Sequence, residues 1–167
     1  MNYRTKTYIA ADWEHDIIAV EALNFWNEDS KYGLSFLNAH DLKQARDSSL
    51  NCSIKRSLAD RLNRSKTFVL IVGDYTNNLR AGGCQYCKNY DSRKLSCANW
   101  YNIDYRSYIE FECDKAVNDD LKIVVLYNST KVDREKCPEI VRYTGTHVAM
   151  LKYDYTWDYQ AIKKAII

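Results

Sequence analysis

The sequence has little of what flexible linkers and membrane segments are made of. Its 167 residues include one proline and five glycines, too few for long flexible linkers. No apolar run approaches the roughly 20 residues that span a membrane. The first residues, 1–11, are too short and too polar for a secretory signal peptide. We therefore expect a cytoplasmic protein without a membrane partner.

Three common catalytic loops are also missing. No G-x-G-x-x-G follows the first apolar run, and no G-x-x-x-x-G-K-[ST] occurs, which argues against a dehydrogenase or a nucleoside triphosphatase. No G-x-S-x-G is present, which argues against the usual hydrolase of an α/β sheet. The net charge of +2 comes from 24 basic and 22 acidic residues without a basic block. This balance argues neither for nor against nucleic acid, and we expect no nucleic-acid partner.

What is present suits one globular domain. Hydrophobic residues make up 46% and charged residues 28% of the chain, and this length can bury a proper core. The prediction is a single domain over residues 1–167.

Six cysteines in a cytosolic chain are free thiols or metal ligands more often than disulfides. Cys84 and Cys87 form a C-x-x-C motif, and Cys97 follows. These three would bind a structural zinc if a fourth ligand joined them, although reduced thiols are the default and no cofactor is required. The candidates for the fourth ligand are Cys52, Cys113 and His40.

Short apolar runs alternate with helical patterns along the chain. This alternation predicts an α/β, flavodoxin-like, doubly wound domain with a five-stranded, mainly parallel sheet and helices on both faces. The predicted strands are residues 5–11, 33–38, 66–73, 121–127 and 147–152. The predicted helices are about 14–26, 49–63, 104–118 and 157–167. Residues from about 74 to 103 form a long loop insertion with weak periodicity, and loops of that length are usually functional or partly disordered.

A carboxylate lies on the inward side of the third predicted helix. Glu112 falls three residues after Ile109 and four before Ala116, inside the apolar stripe. Burying a carboxylate costs free energy unless it has a partner or a role, so Glu112 is a candidate for chemistry. The alternative is a structural ion pair or a bond to a backbone amide. The stripe comprises Tyr105, Tyr108, Ile109, Cys113, Ala116 and Val117.

Polar residues follow several predicted strands at their carboxyl ends, where ligands bind in sheets of this type. Asp12, Asp74 and Lys152 could mimic the acids and lysine of a phosphoacceptor receiver domain. The first strand offers one acid rather than a pair, however, and no proline follows Lys152. His40 is more probable as a surface or capping group than as a catalyst. The residues expected at this edge are Asp12, Trp13, Asn38, His40, Asp41 and Asp74.

Several segments, in order, resemble the TIR domain family, in particular the bacterial TIR-like branch found in Thoeris antiphage defence. Three segments resemble that family's opening elements. They are the first strand and its turn (residues 8–16), Phe36-Leu37-Asn38-Ala39-His40-Asp41, and the strand at 64–73. The family also has an aromatic residue and a glutamate ahead of its fourth strand. A similar pattern occurs here in Tyr108-Ile109-Glu110-Phe111-Glu112-Cys113, ahead of the strand at 122–125. The family's tryptophan before the glutamate is displaced here, to Trp100.

The resemblance implies an enzyme that cleaves the nicotinamide–ribose bond of NAD+ and makes a cyclic or conjugated ADP-ribose messenger. Glu112 would be the catalytic carboxylate that stabilises the cationic sugar, and no metal would be needed. The implied substrate-binding residues are Asp12, Trp13, Asn38, His40, Asp41, Tyr75, Tyr105 and Tyr108.

The resemblance also implies self-association through TIR surfaces and a downstream effector that reads the nucleotide signal. Two other functions stay open at this point. One is a TIR-like interaction module in which Glu112 is structural, and the other is the receiver-like phosphoacceptor.

Overall fold

The computed structural model describes residues 4–34, 36–38 and 50–167. Its main sheet has five parallel strands in the order β2-β1-β3-β6-β7. This is the flavodoxin-like order, and it confirms the predicted fold class and sheet. The strands are β1 (Lys6–Ala10), β2 (Leu37–Asn38), β3 (Ser65–Val72), β4 (Tyr90–Asp91), β5 (Ser96–Cys97), β6 (Lys122–Tyr127) and β7 (Thr146–Ala149).

Four helices cover the two faces of the sheet, as predicted. On one face α1 and α4 pack over Ile9, Val69 and Leu126, and on the other α2 and α3 pack over Tyr8 and Phe68. The two sets alternate along each strand, because successive side chains of a strand point to opposite faces. The helices are α1 (Ile17–Glu28), α2 (Asn51–Leu62), α3 (Tyr108–Asn118) and α4 (Tyr159–Ile166).

The sheet is built around β3. Its residues from Thr67 to Val72 are all buried, and it pairs with β1 on one side and β6 on the other. A central parallel strand is covered on both faces, which is why its sequence shows almost no polar alternation.

The helix that carries Glu112 begins later than predicted. Ser107 caps α3 by accepting a hydrogen bond from the Glu110 N–H, and Glu110 accepts one from the Ser107 N–H. This capping box satisfies two amide groups that the first turn leaves unpaired. Tyr105 therefore lies before the helix and not on its apolar stripe.

Other boundaries also differ from the prediction, among them the start of the second strand, which lies at Leu37 rather than at residue 33. The first helix begins at Ile17, because the Asp16 amide bonds the Asp12 carbonyl at 2.8 Å in a turn that occupies residues 13–16. The last strand ends at Ala149, and the Lys152 amide bonds the Thr156 carbonyl in a tight loop.

The predicted long loop has secondary structure of its own. It contains two short 3₁₀ turns and the antiparallel pair β4–β5.

Lys55 of α2 is almost fully buried and binds the residues that follow the insertion. Its amine donates to the Arg106 carbonyl at 2.6 Å and lies 3.1 Å from the Asp104 carboxylate. The insertion is therefore tied to α2 immediately before α3 begins.

Within the described ranges, every helix is too short or too polar to cross a membrane.

Candidate functional site

Glu112 points into the protein interior, as its helical spacing predicted. It lies in the second turn of α3, and only 6% of its surface is exposed. Its carboxylate accepts a hydrogen bond from the hydroxyl of Tyr8, which is fully buried on β1. Cys113 and Phe68 belong to the apolar cluster around this contact. The carboxyl group is therefore held in the core between helix and sheet.

Burial raises the pKa of Glu112 to about 7, against an ordinary value of 4.5. The hydrogen bond from Tyr8 and the positive charge of Arg61 act in the opposite direction and lower it. Burial dominates because the charged form loses its hydration inside the core. Near neutral pH this group is therefore poised between its acid and its base forms, as in many catalytic carboxyls.

A second polar cluster lies where β1 ends. Asp12 is 5% exposed, and its carboxylate binds the Glu14 amide at 3.1 Å and the His15 ring nitrogen at 2.7 Å. The hydrogen bond to Asp12 raises the pKa of His15. The Tyr75 ring, which follows β3, lies 4.3 Å from the His15 ring between centroids. Asp12 and Tyr75 thus share one edge of the sheet, as predicted.

Asp16 joins the same edge, and the sequence analysis did not identify it. Its Oδ1 accepts a hydrogen bond from the Asn128 amide group at 2.8 Å, just after β6. Its Oδ2 is buried without a hydrogen-bond partner among the described residues. Burial raises the pKa of Asp16, and the bond from Asn128 opposes that shift. A side chain at Gly73 would meet this carboxyl group at 2.2 Å, so Gly73 makes room for it.

The two carboxyl sites lie at different depths. Tyr8, the partner of Glu112, is four residues before Asp12, which corresponds to about 13 Å along an extended strand. Glu112 therefore lies below the strand ends, deeper than the crevice edge where the sequence analysis placed it. Asp12 and Tyr75 line that edge.

Tyr105 and Tyr108 face the insertion. The Tyr105 hydroxyl lies 3.0 Å from that of Tyr90 in β4. Tyr108 donates to the Asn51 side chain at 3.2 Å, and its ring occupies the space beside Gly82. The structure therefore places both rings against the insertion and α2, and their proposed contact with substrate stays a prediction.

The remaining substrate-binding candidates are described only in part. Trp13 is 43% exposed, next to Asp12. The backbone of Asn38 ends β2, where it pairs with Thr7, and its side chain lies outside the description. His40 and Asp41 lie outside the described residues.

The insertion brings four thiols to one small cavity. Cys84, Cys87 and Cys97 line it together with Cys52 from the first turn of α2. Cys113 is buried in the core instead. In the part of the chain that the structure describes, no group of three or more His, Cys, Asp or Glu residues is arranged to hold a metal ion. A structural zinc stays a prediction, which elemental analysis of the purified protein tests.

Two residues of the receiver-like alternative, Asp74 and Lys152, make bonds of their own, and that alternative stays a prediction. The Asp74 carboxylate is exposed and pairs with Lys136. Lys152 lies in the loop after β7, where its amide bonds the Thr156 carbonyl.

Residues 8–81 match the family model described as Thoeris protein ThsB, TIR-like domain. The match runs from the middle of β1 through β3 into the first residues of the insertion, and it ends before α3 and Glu112. No curated protein matches the chain. Among solved structures, the chain is similar to a de novo designed protein with a Rossmann 2x3 fold, at 13% identity and a TM-score of 0.41, over 97% of this chain and 86% of that chain. The N-terminal part of this chain is therefore similar to the TIR-like domain of Thoeris ThsB.

Proposed function

We propose that this protein cleaves the nicotinamide–ribose bond of NAD+ and that Glu112 is its catalytic carboxylate. The observation that carries the proposal is the buried carboxyl group of Glu112, whose pKa is raised to about 7 in a chain with a TIR-like N-terminal part. Keeping a carboxyl group inside a core costs free energy, and at Glu112 the effect of burial exceeds the opposing effects of Tyr8 and Arg61. A catalytic role accounts for that cost.

The chemistry requires few groups. The C–N bond to nicotinamide breaks, the ring leaves as a neutral molecule, and the ribose carbon becomes an oxocarbenium cation. A nearby carboxylate stabilises that cation, more strongly in a water-poor site than in solvent. Water then adds and releases a proton, which gives ADP-ribose. If a nitrogen or hydroxyl nucleophile reacts first, the product is a cyclic or conjugated ADP-ribose messenger.

The strand-end cluster is the proposed place for the rest of the substrate. Asp12 and Trp13 follow β1, and Tyr75 follows β3, so all three lie on the edge where ligands bind in flavodoxin-like sheets. The partly exposed rings of Trp13 and Tyr75 offer stacking surfaces for the base or the nicotinamide.

Access to Glu112 is the step that we expect to be controlled. With 6% of its surface exposed, Glu112 meets substrate only when the groups over it move. We propose that self-association or an infection signal supplies this change in the cytoplasm, and that a separate effector reads the product.

The test is nicotinamide release by wild-type protein and the Glu112→Gln variant, which keeps the size of the side chain and removes its charge. We expect a loss on the order of a hundredfold or more. Glu21→Gln, an exposed charge change on α1, is the matched control and should retain wild-type activity. Mass spectrometry of NAD+ products from phage-infected cells gives the same comparison with any trigger present. Wild-type rates in Glu112→Gln would reject the assignment.

One observation favours a second function, a non-catalytic interaction module. The hydrogen bond from Tyr8 already gives Glu112 a structural partner. Under this alternative, wild-type protein and Glu112→Gln would both leave NAD+ intact in infected cells. Glu112→Gln would then change only the stability of the fold.

A further inference from the structure

A phenol and a carboxyl group meet in the interior between β1 and α3. The Tyr8 hydroxyl donates to Oε1 of Glu112, across 104 positions of the sequence. The Tyr8 ring is stacked on Phe68 of β3, with centroids 5.9 Å apart and planes 23° apart. Because the sheet and this stacking fix the ring, they also fix the direction from which the hydroxyl approaches Glu112.

Among the described residues, three titratable groups act on Glu112 or on its contact with Tyr8. Tyr8 approaches from β1, Arg61 from α2, and Cys113 is the neighbour on α3 itself. Burial raises the pKa of the Cys113 thiol well above its usual range, so that it stays uncharged. Burial and the nearby Glu112 raise the pKa of Tyr8 as well. The phenol therefore keeps its proton and remains a donor at any physiological pH.

We propose that Tyr8 is a positioning residue for Glu112: its hydroxyl fixes where the carboxyl group lies and favours its ionised form despite burial. A hydrogen bond donated to a carboxylate stabilises the charged form over the neutral form. A carboxylate has about four acceptor positions, so one bond to Tyr8 leaves capacity to face a cationic sugar. The effect on catalysis rests on the proposed function, whereas the effect on ionisation can be measured without it.

The deciding variant is Tyr8→Phe, which keeps the ring on Phe68 and removes the hydroxyl. We expect the pH midpoint of nicotinamide release to move upward by about one to two units, the size expected when a charged group loses one hydrogen bond. Activity should return at pH values above the new midpoint. An unchanged midpoint, with a rate that falls only in proportion to the folded fraction, would overturn the proposal.

The matched control is Tyr127→Phe. Tyr127 is also a buried tyrosine in the same core cluster, but its hydroxyl lies 2.9 Å from the His147 ring nitrogen. Removing that hydroxyl should leave the midpoint in place. A second variant covers the case in which Tyr8→Phe fails to fold: 3-fluorotyrosine, introduced at position 8 alone, is a stronger donor and should move the midpoint downward.

A direct titration separates this inference from the proposed function. Carbon NMR of the glutamate carboxyl groups, with Glu112→Gln to assign the signal, follows ionisation of Glu112 without any substrate. A higher titration midpoint in Tyr8→Phe supports the role of Tyr8 even if the protein never cleaves NAD+. Equal midpoints in wild type and Tyr8→Phe would overturn it, whatever the activity.

Discussion

Burial raises the pKa values of two carboxyl groups, Glu112 and Asp16, whose surroundings differ. Asp16 lies at the strand ends, beside Gly73, with an amide donor from Asn128. Glu112 lies in an apolar cluster, with a phenol on one oxygen. The first group is closely packed against Gly73, whereas the second lies among apolar side chains and accepts one hydrogen bond from Tyr8. Under the proposed function, Asp16 is structural and Glu112 takes part in the chemistry.

The largest expected effect is the contribution of Glu112 to the pH dependence of the free energy of unfolding. Its folded pKa of about 7 exceeds its ordinary value of 4.5, so the folded state binds the extra proton between these values. Stability should therefore fall as pH rises from 4.5 to about 7, by on the order of 3 kcal/mol, and then level off. Urea unfolding across this range should show the fall in wild type and its absence in Glu112→Gln. Parallel curves for the two proteins would contradict the comparison.

The next effect is expected at Gly73. A Cβ at this position would lie 2.2 Å from Oδ1 of the buried Asp16, and overpacking of this kind costs about 1–3 kcal/mol. Gly73→Ala should lower the midpoint of thermal unfolding, and adding Asp16→Ala should recover part of the loss. Gly83→Ala is the control, because the atoms nearest to its Cβ would belong to the exposed side chain of Gln85. Equal effects at Gly73 and Gly83 would show that Asp16 is not fixed in place.

Asp16→Asn should have a smaller effect. The bond from Asn128 to Oδ1 can remain, and the replaced Oδ2 has no hydrogen-bond partner among the described residues. We expect stability at pH 7 to change by less than about 1 kcal/mol, measured by urea unfolding. A loss of several kcal/mol would mean that the charge of Asp16 is needed, and the contrast with Glu112 would not hold.

The smallest effect is expected at the exposed side of the strand-end cluster. The bond to Asp12 raises the pKa of His15. Asp12→Asn should lower that pKa and leave the thermal midpoint nearly unchanged, because His15 is on the surface and the Asn side-chain oxygen can still accept from the Glu14 amide. Proton NMR of the His15 ring follows the titration directly. An unchanged His15 pKa in Asp12→Asn would show that Asp12 is not the group that raises it.

The fold could be predicted because its signals are local. The unbroken apolar run of β3 predicts a central strand, and the helical spacing around Glu112 predicts an inward carboxylate. Ser107 and Glu110 also have the spacing of a capping box, which marks the observed start of α3. The helical period alone predicts a start at residue 104, which is too early. The strands β4 and β5 are two residues long, too short for any period to show.

The partners of the two carboxyl groups could not be predicted. A tyrosine inside an apolar strand looks like any core residue, and nothing in the sequence links Tyr8 to a helix 104 positions away. The contact of Asp16 with Gly73 and Asn128 depends on three strand ends meeting at one edge. Such contacts come from tertiary packing, which local patterns do not encode.

The long sequence separation between Tyr8 and Glu112 has a consequence for how the chain folds. β1 leaves the ribosome about a hundred residues before α3. The bond between Tyr8 and Glu112 can form only after α3 has docked on the sheet. It therefore stabilises only conformations in which the sheet and the third helix have assembled together. Contacts of high sequence separation slow folding, and we expect this one to form late. It then stabilises only chains in which the strands have the correct order.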